Sequence, residues 1–258
     1  MDPDSVRKEN ERRYFEENWS SGTRQPAQKF YSITERSKLH YADLLMKECS
    51  GNRFLELGCG PGSHAFELGR SGAEVVGIDL SPKAIELATG TAAARGVDQR
   101  VRFHVGDAEN TGYPNASFDT VCGTGILHHL DLAAGMREMV RVLKPGGRGV
   151  FYEPLRHNFF INLYRKLTPR LRSPDERALT RDEISIARRY FETVDLTFFH
   201  LFGLAAIPFR NSSLFGPVLR SLDALDARLF DSVPAARFQA WVVVLELSGP
   251  RTPTQASS

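Results

Sequence analysis

The chain has 258 residues, enough for one sizeable core, and its 41% hydrophobic and 25% charged content is that of an ordinary globular protein. A net charge of +2 is too small to imply a polyanionic partner by itself. Cys49, Cys59 and Cys122 are odd in number and lack CxxC spacing, which argues against a disulfide framework and against a structural zinc site, so no metal is expected.

Residues 1 to about 50 are polar and charged, with Tyr14, Phe15, Trp19, Phe30 and Tyr31 scattered among them, and they read as helical. The opening MDPDSVRKENERR has no apolar stretch before a small-residue cleavage site, so a cytoplasmic location is expected. From Arg53 the texture changes to short β-like runs, RFLELG, EVVGIDL, VRFHVGD, FDTVCGTG and GRGVFYEP, separated by helical stretches. That alternation predicts a parallel sheet with helices on both faces.

Between the runs, Ser81 before Pro82 marks a helix start, with Ile85, Ala88 and Ala92 on one face and Gly96 near its end. LKPGG closes a helix that begins at Leu132 and ends at Leu143, because Pro145 cannot continue it. Further on, HNFFINLYRKL can place Phe160, Leu163, Tyr164 and Leu167 on one helical face, and TRDE at 180–183 is a capping-box signal before Ile184, Ala187 and Phe191. Two more strands are expected in VDLTFFHLF and FQAWVVVLEL, with an amphipathic helix between them turning Phe215, Leu219, Leu222 and Leu229 inward. The apolar run from Leu196 to Phe209 is broken by His200, Gly203 and Pro208 and is too short to cross a bilayer of ~30 Å.

The turn after the first strand carries Gly58, Gly60 and Gly62 and runs into a helix. Glycine lets bare backbone approach a ligand, and the helix start offers N–H groups to an anion, which suits a nucleotide-like cofactor. A dinucleotide fingerprint would need glycine at position 63, where the chain has Ser63, and no GxxxxGK[ST] phosphate loop is present.

Glu56, Gly58, Gly60 and Gly62 match the acidic-x-G-x-G-x-G motif of class I S-adenosylmethionine-dependent methyltransferases, and Asp79, Asp107, the FDTVCGTGILHHL segment and LKPGG follow in that family's order. From about Arg53 to Glu153 the chain resembles the small-molecule members of that family, of the kind found in ubiquinone and menaquinone biosynthesis. The resemblance implies a Rossmann-like α/β fold: a seven-stranded sheet, mostly parallel, with an antiparallel last strand. It implies S-adenosyl-L-methionine as cofactor and S-adenosyl-L-homocysteine as product. Gly58, Gly60 and Gly62 would then admit the methionine portion, Glu56 would face its ammonium group, and Asp79 would accept hydrogen bonds from the ribose hydroxyls. Leu80 would lie on the adenine ring, Asp107 at its exocyclic amine, and Ala108 would donate to a ring nitrogen. Thr124, at the end of the fourth strand, joins this cofactor set; Cys59 lies within the turn, in the motif's variable position, and is assigned no chemistry.

Methyl transfer asks mainly for alignment and exclusion of water, with a base only for acceptors that must lose a proton. Similar methyltransferases often carry a histidine in the loop after the fourth strand, in some working with a tyrosine from an N-terminal lid; the resemblance makes His129 the preferred base and His128, expected to face outward, the second, with Tyr14 or Tyr31 as the lid partner. Glu153 and His157 are candidates for orienting the acceptor. The expected organisation is a helical lid over 1–50, a cofactor-binding core over 51–154, the acceptor side over 155–248 and a disordered tail over 249–258. Phe159, Phe160, Tyr164, Phe198, Phe199, Phe202 and Phe209 suit a small apolar acceptor. The basic residues Arg165, Lys166, Arg170, Arg172 and Arg177 read as a solvated face, with peripheral contact to an anionic membrane left open. No nucleic-acid partner is expected, since neither a strongly basic domain nor an NPPY-type tetrapeptide is present. The competing reading is a cofactor-binding module without transferase activity, acting as sensor or assembly partner.

Overall fold

Strands β1 (Arg53–Leu57), β2 (Glu74–Asp79), β3 (Val101–Val105), β4 (Phe118–Thr124), β5 (Leu143–Pro154), β6 (Phe191–Phe199) and β7 (Val242–Pro250) form one sheet in the order β3-β2-β1-β4-β5-β7-β6. This is a computed structural model, and it describes residues 3–21, 32–62, 64–159, 161–162 and 178–251. Pairing is parallel from β3 through β5, and β7 runs antiparallel between β5 and β6. The α/β sheet expected from the sequence is therefore present, including its antiparallel last strand.

Alternation along the strands divides the core between two faces. Phe54, Val75, Cys122, Val150 and Val244 point to one face, where they meet Tyr41, Leu44 and Leu45 of α2 (Glu35–Met46), Phe66 and Leu68 of α3 (Ala65–Arg70), and Ala88 and Ala92 of α4 (Pro82–Ala94). Their neighbours Leu55, Val76, Val121, Phe151 and Leu245 point the other way, onto Met136 and Met139 of α5 (Leu132–Val142), Ile184 and Ala187 of α6 (Arg181–Tyr190), and Phe230 of α7 (Phe215–Ser232). A strand covered on both faces reads as a nearly continuous apolar run, as FLEL and VVVLEL do apart from Glu56 and Glu246.

Local chemistry sets the helix starts. Ser81 Oγ accepts the Ala84 N–H, Asp131 caps α5 through Ala134, and Thr180 and Glu183 form the reciprocal capping box. Four details differ from the sequence reading. LKPGG is a bulge inside β5, with Gly146 at φ +78°, between the Phe118↔Leu143 and Thr120↔Arg148 pairs. Phe191 opens β6 instead of closing α6. On α7 the fully buried positions are Asp226 and Phe230, while Phe215, Leu219, Leu222 and Leu229 are half-buried. Asp226 goes inward because its carboxylate accepts the backbone N–H groups of Leu201 and Phe202 at 2.9 and 2.8 Å. Finally, β7 extends through Pro250 and the Arg251 N–H bonds the Tyr190 carbonyl, so pairing reaches into the segment expected to be a tail.

The helix α1 (Pro3–Ser21) precedes this unit. Tyr31, Phe30, Phe160, Leu163, Tyr164, Leu167 and the basic residues from Arg165 to Arg177 lie outside the described residues, as do 252–258 and the side chain of Trp19. After β3 the chain crosses to β4 on the other side of β1, so β1 and β4 flank the point where strand order reverses. Open α/β sheets bind ligands at the carboxyl ends of their strands at that point.

Candidate functional site

The glycine turn leaves β1 at this reversal point. Gly58, Gly60 and Gly62 have φ of +60°, +53° and +92°, a region that residues with a Cβ rarely adopt. Neighbours would also have to shift: a Cβ on Gly58 would lie 2.7 Å from Ile126 Cδ1, and one on Gly62 would lie 2.2 Å from the Phe66 ring. The turn is thus a bare backbone cradle, backed by Glu56, which is 1% exposed. Cys59 is buried and its thiol is pushed well above its ordinary value by burial and next by the charge of Glu56. Its N–H donates to the Ile78 carbonyl, its carbonyl accepts the Gly62 N–H at 3.0 Å and its thiol donates to the Gly60 carbonyl, so its part is to brace the turn.

Asp79 ends β2 beside the turn. Its Oδ2 accepts the Gly60 N–H and its Oδ1 the Ser81 N–H, both at 2.9 Å. Each oxygen retains a second lone pair, so a held carboxylate faces the site with room for two donors such as vicinal hydroxyls. Burial raises its pKa, against the two N–H bonds that favour the ionised form. Leu80 is half-buried next to it, and Ala108 is buried after β3.

Asp107 lies in a network that the sequence did not signal. Lys8 of α1 reaches its Oδ2 at 2.9 Å and Glu109 Oε2 at 2.7 Å, while Arg7 reaches Glu109 Oε1 at 2.6 Å. Arg7 also donates to the His129 carbonyl. Burial alone would lower the Lys8 pKa, but its hydrogen bonds to Asp4, Glu109 and Asp107 hold it well above the ordinary lysine range. The first helix therefore lies across the ends of β3 and β4.

The two histidines follow β4 in a short 3-10 turn. His128 Nδ1 is 2.6 Å from Glu153 Oε2, and the other Glu153 oxygen accepts the N–H groups of Ile126 and Leu127, both at 2.8 Å. His128 is thus not outward-facing: its side chain is 4% exposed, because the carboxylate on β5 draws it in. His129 Nδ1 contacts Glu11 of α1 at 2.9 Å, under the edge of Phe15, and the two imidazoles stack at 4.2 Å. Tyr14 packs on Phe15. His157 is exposed and Thr124 is exposed at the tip of β4. Hence Glu56, Gly58, Gly60, Gly62, Asp79, Asp107, His128, His129 and Glu153 meet at one end of the sheet, whereas His157 shows no contact there among the described residues.

Two further residues line the turn on the opposite side. Tyr41 of α2 donates from Oη to the Gly123 carbonyl at 3.2 Å, and its ring lies 5.0 Å from that of His64 at the start of α3. Burial pushes the Tyr41 phenol well above its ordinary value and lowers His64, so both are neutral near pH 7. Nothing in local spacing could have found Tyr41, since the contact joins segments far apart in sequence. Among the described residues no helix is long and apolar enough to cross a membrane.

A sheet of this order, with an acidic-x-G-x-G-x-G turn at its reversal point and a carboxylate closing the next strand, is the arrangement that the motif resemblance implied. Residues 55–151 match the family described as "Methyltransferase domain", the kind of protein that the motif resembles. Over 101 residues it is 42% identical to a 27-O-demethylrifamycin SV methyltransferase of Amycolatopsis mediterranei, covering 38% of this chain and 37% of that one. An ajmaline N-methyltransferase of Rauvolfia serpentina is 33% identical over 146 residues, 56% of this chain and 46% of the relative. The matched stretches span less than half the length of these curated relatives. Among solved structures, a geranyl diphosphate C-methyltransferase from Streptomyces coelicolor, in complex with Mg2+, geranyl diphosphate and S-adenosyl-L-homocysteine, superposes with a TM-score of 0.59 at 17% identity, over 87% of this chain and 83% of that one; this similarity shows the fold.

Proposed function

We propose that the chain transfers a methyl group from S-adenosyl-L-methionine to a small, apolar acceptor. The observation that carries this reading is the bare glycine cradle beside the fixed Asp79 carboxylate at the reversal point of the sheet. Bound there, the cofactor supplies an electrophilic methyl on a sulfonium. Gly58, Gly60 and Gly62 admit its amino-acid end, Glu56 faces the ammonium group, Asp79 holds the ribose, and Leu80, Asp107 and Ala108 address the adenine. The relatives' names span O-, N- and C-methylation, which fits one donor used with different acceptors.

His128 is the base in this proposal, in place of the His129 favoured by sequence. Glu153 accepts its Nδ1 proton, so in the neutral ring the basic lone pair lies at Nε2. The main-chain bonds from Ile126 and Leu127 fix Glu153, so the imidazole is oriented before any acceptor arrives. His129, engaged by Glu11, joins the loop to α1; with Tyr14 and Phe15 it belongs to a lid that excludes water. The buried free thiols Cys49, Cys59 and Cys122 support a reducing, cytoplasmic setting.

Calorimetry with S-adenosyl-L-homocysteine, followed by labelled-methyl transfer to a panel of apolar phenols and amines, tests the reading. Binding should weaken more than about tenfold in Asp79→Ala, the loss expected for hydrogen bonds to a charged group. His128→Ala should keep that affinity and lose transfer to phenols. No binding by the wild type overturns the assignment, and binding with no transfer to any acceptor favours the sensor module.

A further inference from the structure

A second polar cluster stands across the sheet tips from the histidine pair. Tyr152 lies on β5 opposite Thr124 at the tip of β4, and its carbonyl accepts the Gly125 N–H at 2.8 Å. Its ring is 6.0 Å from that of Tyr41, the residue that bonds Gly123 and packs on His64. Tyr152 therefore continues the wall of the site on the face opposite Glu153, as the alternation of β5 requires.

The cluster behind it fixes where protons go. Tyr152 Oη is 3.1 Å from Ser37 Oγ on α2, and His200 Nε2 approaches the same oxygen at 2.8 Å. Ser37 is fully buried and donates its one proton to the Thr34 carbonyl at 2.9 Å. A hydroxyl has one proton and two lone pairs, so Ser37 can only accept from the other two groups. His200 is equally buried, and burial, followed by the nearby Arg36 charge, pushes its pKa down to about 3. A neutral imidazole has one N–H, here at Nε2. The bare Nδ1 is 3.8 Å from Asp223 Oδ1, beyond hydrogen-bond reach, and has no hydrogen-bond partner among the described residues.

The imidazole is held there at some cost. His200 sits at φ +66°, a region unusual for a residue with a side chain, secured by the Trp241 N–H shared between the Phe199 and His200 carbonyls and by Asp226 beneath the next turn. Three segments distant in sequence converge to direct one phenolic proton inward.

We propose that Tyr152 contacts the methyl acceptor and that Ser37 and His200 are positioning residues, which commit the phenol's proton to Ser37 and present its oxygen to an O–H or N–H group of the acceptor. This rests on the methyltransferase reading and narrows it: the acceptor is an apolar molecule carrying a hydroxyl or amine donor. A purely hydrocarbon partner gains nothing from such an oxygen.

The test uses the full chain saturated with S-adenosyl-L-homocysteine and two probes, thymol and its methyl ether, which differ by one donor hydrogen. Wild-type protein should bind thymol about tenfold more tightly, the effect of one neutral hydrogen bond. In Tyr152→Phe the two affinities should converge, with affinity for S-adenosyl-L-homocysteine unchanged within about twofold. Ser37→Ala releases the phenolic proton, and the ether should gain relative to thymol. His200→Gln retains an N–H for Ser37 and should keep the preference. A wild type without the preference overturns the proposal, as does a preference that survives in Tyr152→Phe or a Tyr152→Phe defect confined to S-adenosyl-L-homocysteine binding. Absence of S-adenosyl-L-homocysteine binding in the wild type is a separate result and removes the methyltransferase reading itself.

Discussion

At the scale of single residues, burial governs charge. His200 has a pKa near 3 in the folded chain against an ordinary value of 6.5, because its buried site favours the neutral ring and Arg36 repels a proton. An unfolded chain takes up that proton below pH 6.5, so the stability due to neutral His200 is complete above that pH and is lost as pH falls toward 3. The buried acids Asp79, Asp223 and Asp226, whose pKa values are raised by burial, change stability with the opposite sign, so the measurement must be a difference. Denaturant melts of wild type and His200→Gln between about pH 6 and 4 should show the wild type losing relative stability by about 1.4 kcal/mol per pH unit. A flat difference would mean that position 200 accepts a proton when folded as readily as when unfolded.

Among the elements, α1 is attached in an unusual way. Its one fully buried described side chain is Glu11, and its contacts run through Arg7, Lys8 and Glu11 to Glu109, Asp107 and His129. A helix whose ties include the ion pairs of Arg7 and Lys8 should respond to salt. In about 1 M NaCl, where screening acts over about 3 Å, hydrogen exchange of α1 amides should quicken several-fold while β1 and β4 stay protected. Lys8→Met should reproduce the effect at low salt; unaltered α1 exchange in both cases would assign its attachment to something other than these charges. Sequence reached the strands, the caps at Ser81 and Thr180 and the cofactor turn, because their causes lie within a few residues of one another. It could not reach Lys8 with Asp107, Glu11 with His129 or Ser37 with His200, which stand 99, 118 and 163 positions apart. It turned His128 outward for the same reason, since the carboxylate that draws it in belongs to the following strand.

For the molecule as a whole, both core faces hang on the same strands. Phe54 and Phe151 are fully buried on opposite sides of the sheet. Replacing either by alanine should remove about 3–5 kcal/mol, and both should lower the midpoint of one shared calorimetric transition. Separate transitions would show that the faces melt independently. The sheet itself was legible because strands covered on both faces read as nearly continuous apolar runs. The acceptor side was less so, since the residues that would shape it, such as Tyr152 and His200, occupy positions any strand or turn could supply.

The strand order leaves β3 and β6 on the outside, each with a rim of unpaired backbone. Arg102 and His104 stud one border, Glu192 and Asp195 the other, all exposed. A copy approaching the β6 border edge to edge would set Glu192 and Asp195 against their own like charges, which disfavours adding an eighth rung there.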